Sequence, residues 1–216
     1  MHVVIAGGHG KIALLLERLL ADRGDTVAGL IRNPAQAADL VAAGATPMVV
    51  DLERSSRTEV AEALRGADAV VFAAGAGPGS GVARKTTVDR DAAILLADAA
   101  EAAGVDRYVM VSAISADDRT LDDGYDEVFR AYIRAKSQAD ADVRGRIGLR
   151  TTIVRPGRLT DEPATAKVTI ANCTGRGSIP RADVAAVLLA VLDTPDTAGR
   201  TFEVISGATP IADAMR

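Results

Sequence analysis

Cysteine occurs once in the 216 residues, histidine twice and tryptophan never, and aromatic residues together make up 3%. These scarcities remove whole classes of function. The lone Cys173 has no second thiol for an intramolecular disulfide or a zinc cluster, which fits a reducing cytoplasm. With only His2 and His9, neither a histidine-rich metal site nor a histidine-based triad is supported. No basic run and no aromatic-basic interleaving occurs, and the formal net charge of −4 argues against a nucleic-acid partner held through phosphates. The expected partner is a small soluble molecule. No apolar stretch reaches membrane-spanning length, and the first one breaks at Gly7 without a basic flank, unlike a signal peptide.

What the chain does have is apolar content, at 48%, enough for one domain with a sizeable core. β-Branched apolar runs at 3–5, 26–31, 46–50, 69–73, 107–111, 150–154 and 201–205 alternate with helix-like segments. That alternation predicts an α/β fold, a Rossmann-like doubly wound parallel sheet with helices on both faces. Two stripes at helical spacing, Ile12/Leu15/Leu16/Leu19/Leu20 and Val184/Val187/Leu188/Val191/Leu192, read as core-facing. Gly24, Gly44, Gly66 and Gly104 fall where helices should end. A single domain over 1–216 is expected, with the irregular segment 156–180 forming one wall of a pocket. The alanine-rich helix over 89–102 suits either deep burial or a dimer interface, so monomer and homodimer both stay open.

Residues 3–13, Val-Val-Ile-Ala-Gly-Gly-His-Gly-Lys-Ile-Ala, read as a strand, a glycine loop and the start of a helix. This geometry brings bare backbone amides up to a phosphate. Gly7 and Gly10 allow the sharp turn and the close approach of a pyrophosphate, while Ala13 is small enough for the helix to lie on the sheet. A plain tight turn before a helix is the competing reading. A second glycine-rich stretch, 75–81, runs into Arg84-Lys85-Thr86, where Arg84 stands at a position that a triphosphate loop gives to glycine. It reads better as a loop beside a dinucleotide. The acid-rich segment 117–127 matches no calcium loop and reads as a solvated surface loop.

Tyr132 and Lys136 stand four apart in a predicted helix, which stacks phenol and ammonium on one face. Hydride reduction of a carbonyl leaves an alkoxide needing a proton, and the sequence predicts that Lys136 pulls the Tyr132 pKa down toward neutrality. Lys136 could also hold a ribose hydroxyl; the plainer reading is a tyrosine packed on a lysine stem. Ser112 and Ser115 follow the fifth strand, and Ser112, nearer the strand, is favoured over Ser115 as the substrate-oxygen anchor rather than a loop cap. At the end of the second strand, where NAD-dependent enzymes place a carboxylate, this chain presents Arg32, which favours NADP(H) over NAD(H) through a 2′-phosphate contact. An exposed helix-flanking arginine is the alternative. Lys11 adds charge near the phosphates or is solvated, and His9 reads as a polar loop residue rather than a general base.

Together Gly7-Gly8-His9-Gly10-Lys11-Ile12-Ala13, Arg32, Val50-Asp51-Leu52, Ala73-Ala74-Gly75, Tyr108 to Ser112, Tyr132/Lys136, Arg155-Pro156-Gly157 and 179–184 resemble the atypical and extended short-chain dehydrogenase/reductases. The likeness is to the small NAD(P)H-binding, NmrA-like, flavin/biliverdin-reductase-like and epimerase/dehydratase-like proteins. It implies that Gly7, His9, Gly10, Lys11 and Ile12 cradle the cofactor, with Asp51 and Leu52 at the adenine. Ala73, Ala74 and Gly75 would line its ribose, and Pro156 and Gly157 would back the nicotinamide. Ser112, Tyr132 and Lys136 would form the reductase triad. Ala13 replaces a glycine of the pattern, Ala113 breaks the usual serine pair, and only 60 residues follow Pro156, fewer than sugar epimerases carry for substrate.

These residues imply an NADPH-dependent oxidoreductase for a small carbonyl, quinone or flavin-like acceptor. A regulatory sensor of NADP(H) without turnover, and an NAD(P)-dependent epimerase or isomerase, remain the alternatives.

Overall fold

Val3 to Ala6 are each wholly buried, which demands cover on both faces of strand β1 (His2–Ala6). The computed structural model describes residues 1–77, 79–117 and 125–216. Parallel to β1 run β2 (Thr26–Ile31), β3 (Thr46–Val49), β4 (Ala69–Phe72), β5 (Arg107–Val111), β6 (Arg150–Pro156) and β10 (Thr201–Ser206). The seven sequence-predicted strands are these seven. Val3 and Ile5 face helices α1 (Lys11–Asp22) and α7 (Arg181–Asp193), whereas Val4 and Ala6 face α3 (Arg57–Ala63), α5 (Ala92–Ala103) and α6 (Glu127–Arg144). Alternate residues of one strand therefore feed two separate cores.

With β8 (Lys167–Ala171) and β11 (Thr209–Pro210) added at one edge, the sheet order is β11-β8-β10-β6-β5-β4-β1-β2-β3, so the winding direction reverses at β1 and β4. A crevice opens at the carboxyl ends of strands at such a reversal. Helix α2 (Ala37–Ala42) joins β2 to β3, and α4 (Val82–Arg84) leads through a π-helical stretch, Lys85–Asp91, into α5. The helix expected over 89–102 thus starts at Ala92 as α-helix. Gly24, Gly44, Gly66 and Gly104 all have positive φ, and Gly104 at φ 74 closes α5 in the left-handed conformation.

The segment 156–180 is not irregular as the sequence predicts. It holds β7 (Arg158–Thr160), β8 (Lys167–Ala171) and β9 (Ser178–Pro180). β7 and β9 pair in parallel, while β8 adds antiparallel to β10 and carries β11 (Thr209–Pro210), before the short α8 (Ile211–Ala214). These strands are three or five residues long, or two in β11, and acquire their order from distant partners such as Val204 opposite Ile170. Residues 118–124 of the acid-rich segment and Pro78 of the second glycine stretch lie outside the described residues. At the described ends, Asp117 pairs with Arg155 at 2.8 Å and Asp126 caps α6 by accepting from the Phe129 amide at 2.7 Å.

Candidate active site

Gly7 turns the chain at φ +80, and a Cβ there would lie 2.6 Å from the Ala74 backbone. No L side chain fits both conditions. The Gly10 amide donates to the Gly7 carbonyl at 2.8 Å, Gly10 then heads α1 with no side-chain cap, and the first turn of the helix has no acidic residue. The α1 amides are left to an external anion. Ala13 is fully buried where the helix meets the sheet. This cradle, which side chains would fill, fits the pyrophosphate of a dinucleotide.

The loop opens on a cleft of about 250 Å³ at the reversal point of the sheet. Around it the structure gathers Gly7, His9 and Gly10 from the loop, Arg32 from the end of β2, Asp51 and Leu52 after β3, and Ala73, Ala74 and Gly75 after β4. Lys11 and Ile12 point elsewhere. Lys11 Nζ lies 2.5 Å from Asp161, which also takes Arg181 at 2.7 Å, and Ile12 is buried in the core. His9 pairs with Asp39 of α2 at 2.7 Å. Pro156 and Gly157 are buried outside this cleft; a Cβ on Gly157 would sit 2.5 Å from the Gly177 carbonyl, so chain packing alone requires that glycine.

At the end of β2 the sequence predicts Arg32 without a carboxylate, and the structure corrects this. Glu53, brought in after β3, accepts from Arg32 at 3.1 Å and from Arg84 at 3.0 Å on one oxygen, and from the Thr87 hydroxyl at 2.7 Å on the other. Burial raises the Glu53 pKa, but Thr87, Arg84 and Arg32 outweigh it and hold the carboxyl below its ordinary value. Glu53 and Arg84 also line the cleft. The sequence held one signal for Arg84, its place just after the second glycine stretch.

Past Gly75 the cleft meets a charged cluster. The Ala76 amide donates to Asp89 at 3.4 Å, and Asp89 on the π-helical stretch lies 3.4 Å from Lys136 of α6. Lys136 Nζ also donates to the Val111 carbonyl at 3.2 Å and sits 5.9 Å from the centre of the Tyr132 ring, with Lys85 5.3 Å from that ring. Tyr132 and Lys136 thus share a helix face as their spacing predicts. The electrostatic expectation fails: burial first, then the negative charges of Asp89 and Asp140, push the Tyr132 pKa up rather than toward neutrality. Asp89 neutralises the field that Lys136 was expected to supply.

Ser112 is 3% exposed, follows β5 and lies beside Asp140, which Arg155 holds at 2.8 and 2.7 Å. It follows Val111, whose carbonyl Lys136 holds, and is not among the residues lining the cleft. Ser115 is partly exposed at φ 65, its amide donating to buried Glu203 at 3.1 Å. Tyr108 is a core residue whose hydroxyl donates to the Ala93 carbonyl at 2.9 Å. Among the described residues no cluster of His, Cys, Asp or Glu could hold a metal, and no helix is long and apolar enough to cross a membrane.

A reversing parallel sheet, a glycine cradle at its reversal point and a tyrosine-lysine pair beside it define a dinucleotide-binding α/β protein. The chain belongs to the NAD(P)H-binding family, which it matches over residues 7–195. A Bacillus subtilis protein described as an uncharacterized sugar epimerase, YhfK, is 39% identical over 100% of this chain and 99% of its own. A solved structure from Bacillus halodurans, provisionally named an NAD-dependent epimerase/dehydratase, is 37% identical over 100% of this chain and 98% of that one, at a TM-score of 0.91. The Lactococcus lactis oxidoreductase ylbE is 26% identical over 100% and 95%, at 0.87.

Proposed function

We propose that the protein is an NAD(P)H-dependent reductase of a small carbonyl, quinone or flavin-like acceptor, with NADPH the preferred cofactor. The observation that carries this reading is the contact between the cofactor cleft and the Tyr132 cluster: Val88 and Ala92 line the cleft, and Asp89 between them reaches both Ala76 and Lys136. Bound NAD(P)H supplies the hydride there. Tyr132 donates its hydroxyl proton to the acceptor oxygen as that oxygen gains negative charge. With a carbonyl acceptor the product oxygen is an alkoxide, a stronger base than a phenolate even of raised pKa, so the transfer runs toward it; a quinone or flavin-like acceptor takes its proton from solvent. Lys136 holds the Val111 carbonyl and Asp89, and by its place under the ring it orients Tyr132. Ser112 remains the proposed oxygen anchor, reached only if its side chain turns from Asp140.

Titration with NADPH and NADH, repeated on Arg32→Ala, tests the cofactor assignment; NADPH binding should fall toward the NADH value. An acceptor panel then separates reductase from sensor. The epimerase names of the relatives favour a second reading in which the same cofactor is used transiently, and this would appear as product formed without net loss of NADPH.

A further inference from the structure

Two guanidiniums converge on a single carboxylate oxygen at the ribose end of the cleft: Arg32 at 3.1 Å and Arg84 at 3.0 Å from Glu53 Oε2. The arginines come from different elements, β2's end and α4, and the carboxylate from the segment after β3. All three line the cleft, and the Thr87 hydroxyl fixes the other oxygen at 2.7 Å. None of the three is deeply buried, with side-chain exposures of 53%, 37% and 24% for Arg32, Arg84 and Glu53. The assembly is a ready anion seat occupied by the protein's own anion.

A 2′-phosphate needs such donors, since planar guanidiniums bind phosphate and carboxylate oxygens through the same paired geometry. A ribose 2′-hydroxyl needs the opposite, an acceptor carboxylate. Glu53 supplies that acceptor while in place and blocks the phosphate by occupying its seat and opposing its charge. We propose that Glu53 tempers the preference for NADPH by competing with the 2′-phosphate for Arg32 and Arg84, so that the preference is smaller than the two arginines alone would give. The inference rests on the cleft's being the dinucleotide site. Arg84 is then the second phosphate-binding residue, which the position of Arg32 alone does not reveal.

Calorimetric titration with 2′,5′-ADP and 5′-ADP isolates the seat from any turnover. In Glu53→Gln the affinity ratio of 2′,5′-ADP to 5′-ADP should rise about tenfold over wild type, as expected when one opposing charge leaves a phosphate seat. In Arg84→Ala it should fall by a similar factor. Thr87→Val, which frees one oxygen of Glu53, should raise the ratio by less. Melting curves confirm that each variant folds. An unchanged or lowered ratio in Glu53→Gln, in a protein that still binds NADPH and NADH, overturns the competition and leaves the dinucleotide site standing. Failure of wild type to bind either fragment or either dinucleotide overturns both.

Discussion

Lys136 Nζ lies 3.4 Å from Asp89 Oδ1, and the two side chains are 4% and 1% exposed. Charges so placed are costly to bury singly, because removing one partner leaves the other unpaired in a low dielectric. Asp89→Ala is therefore expected to lower unfolding free energy by about 3–5 kcal/mol. The double variant Asp89→Ala/Lys136→Met should lose less than Asp89→Ala alone. Urea denaturation of the wild type, the two single variants and the double variant measures this; a double variant no more stable than Asp89→Ala would refute the coupling.

The same pair governs Tyr132. Since burial, Asp89 and Asp140 raise its pKa above the ordinary value of 10, the phenol stays protonated throughout the neutral and mildly alkaline range. Turnover should show no alkaline limb belonging to Tyr132 below about pH 10. Tyr132→Phe should reduce turnover by about 10²-fold or more with NADPH affinity unchanged. A pH–rate profile of both proteins checks this, and a tyrosine-dependent limb near neutrality would contradict it.

Glu17 of α1 is wholly buried, and neither of its carboxyl oxygens makes a hydrogen bond among the described residues. It fits there because Gly8 and Gly29 carry no side chain; a Cβ on Gly29 would lie 2.6 Å from Glu17 Oε1. Burial pushes its pKa up to about 8 from an ordinary 4.5. The folded chain then keeps a proton that the unfolded chain releases, so stability falls as pH rises through this window and levels off above it. The slope is about 1.4 kcal/mol per pH unit from this group. Glu17→Gln, neutral at every pH, should flatten that slope between pH 5 and 8 in denaturation series; parallel slopes for the two proteins would count against it.

Gly7→Ala places a methyl group 2.6 Å from the Ala74 backbone in a left-handed conformation. Backbone strain of about 1–3 kcal/mol must be relieved by moving the loop or the Ala74 segment, both of which line the cleft. NADPH affinity should drop about tenfold or more, together with a lower melting temperature. Calorimetry on the variant tests it, and wild-type affinity would show that the cradle is not the cofactor contact.

The seven parallel strands and the glycine loop were legible because their signals are local: continuous apolar runs, helical stripes and a turn that only glycine makes. The edge strand β11 and its neighbour β8 were not, since β8 shows solvent on one face and is ordered by pairing with β10 and β11. Tyr132 and Lys136 were visible as one helical spacing. Asp89, 47 positions before Lys136, was not, and neither was the burial that, ahead of Asp89 and Asp140, raises the pKa of the tyrosine.

The sequence by itself determined the winding of the sheet, the place of the glycine loop and the helix face that carries Tyr132, each through hydrophobic period or backbone conformation within a short window. Tertiary structure decided the charges. Glu53 came to Arg32 across 21 residues, Asp117 to Arg155 across 38 and Asp89 to Lys136, while Glu17 has no hydrogen-bond partner among the described residues. Electrostatics depends on distance and burial in space, and neither follows from spacing along the chain.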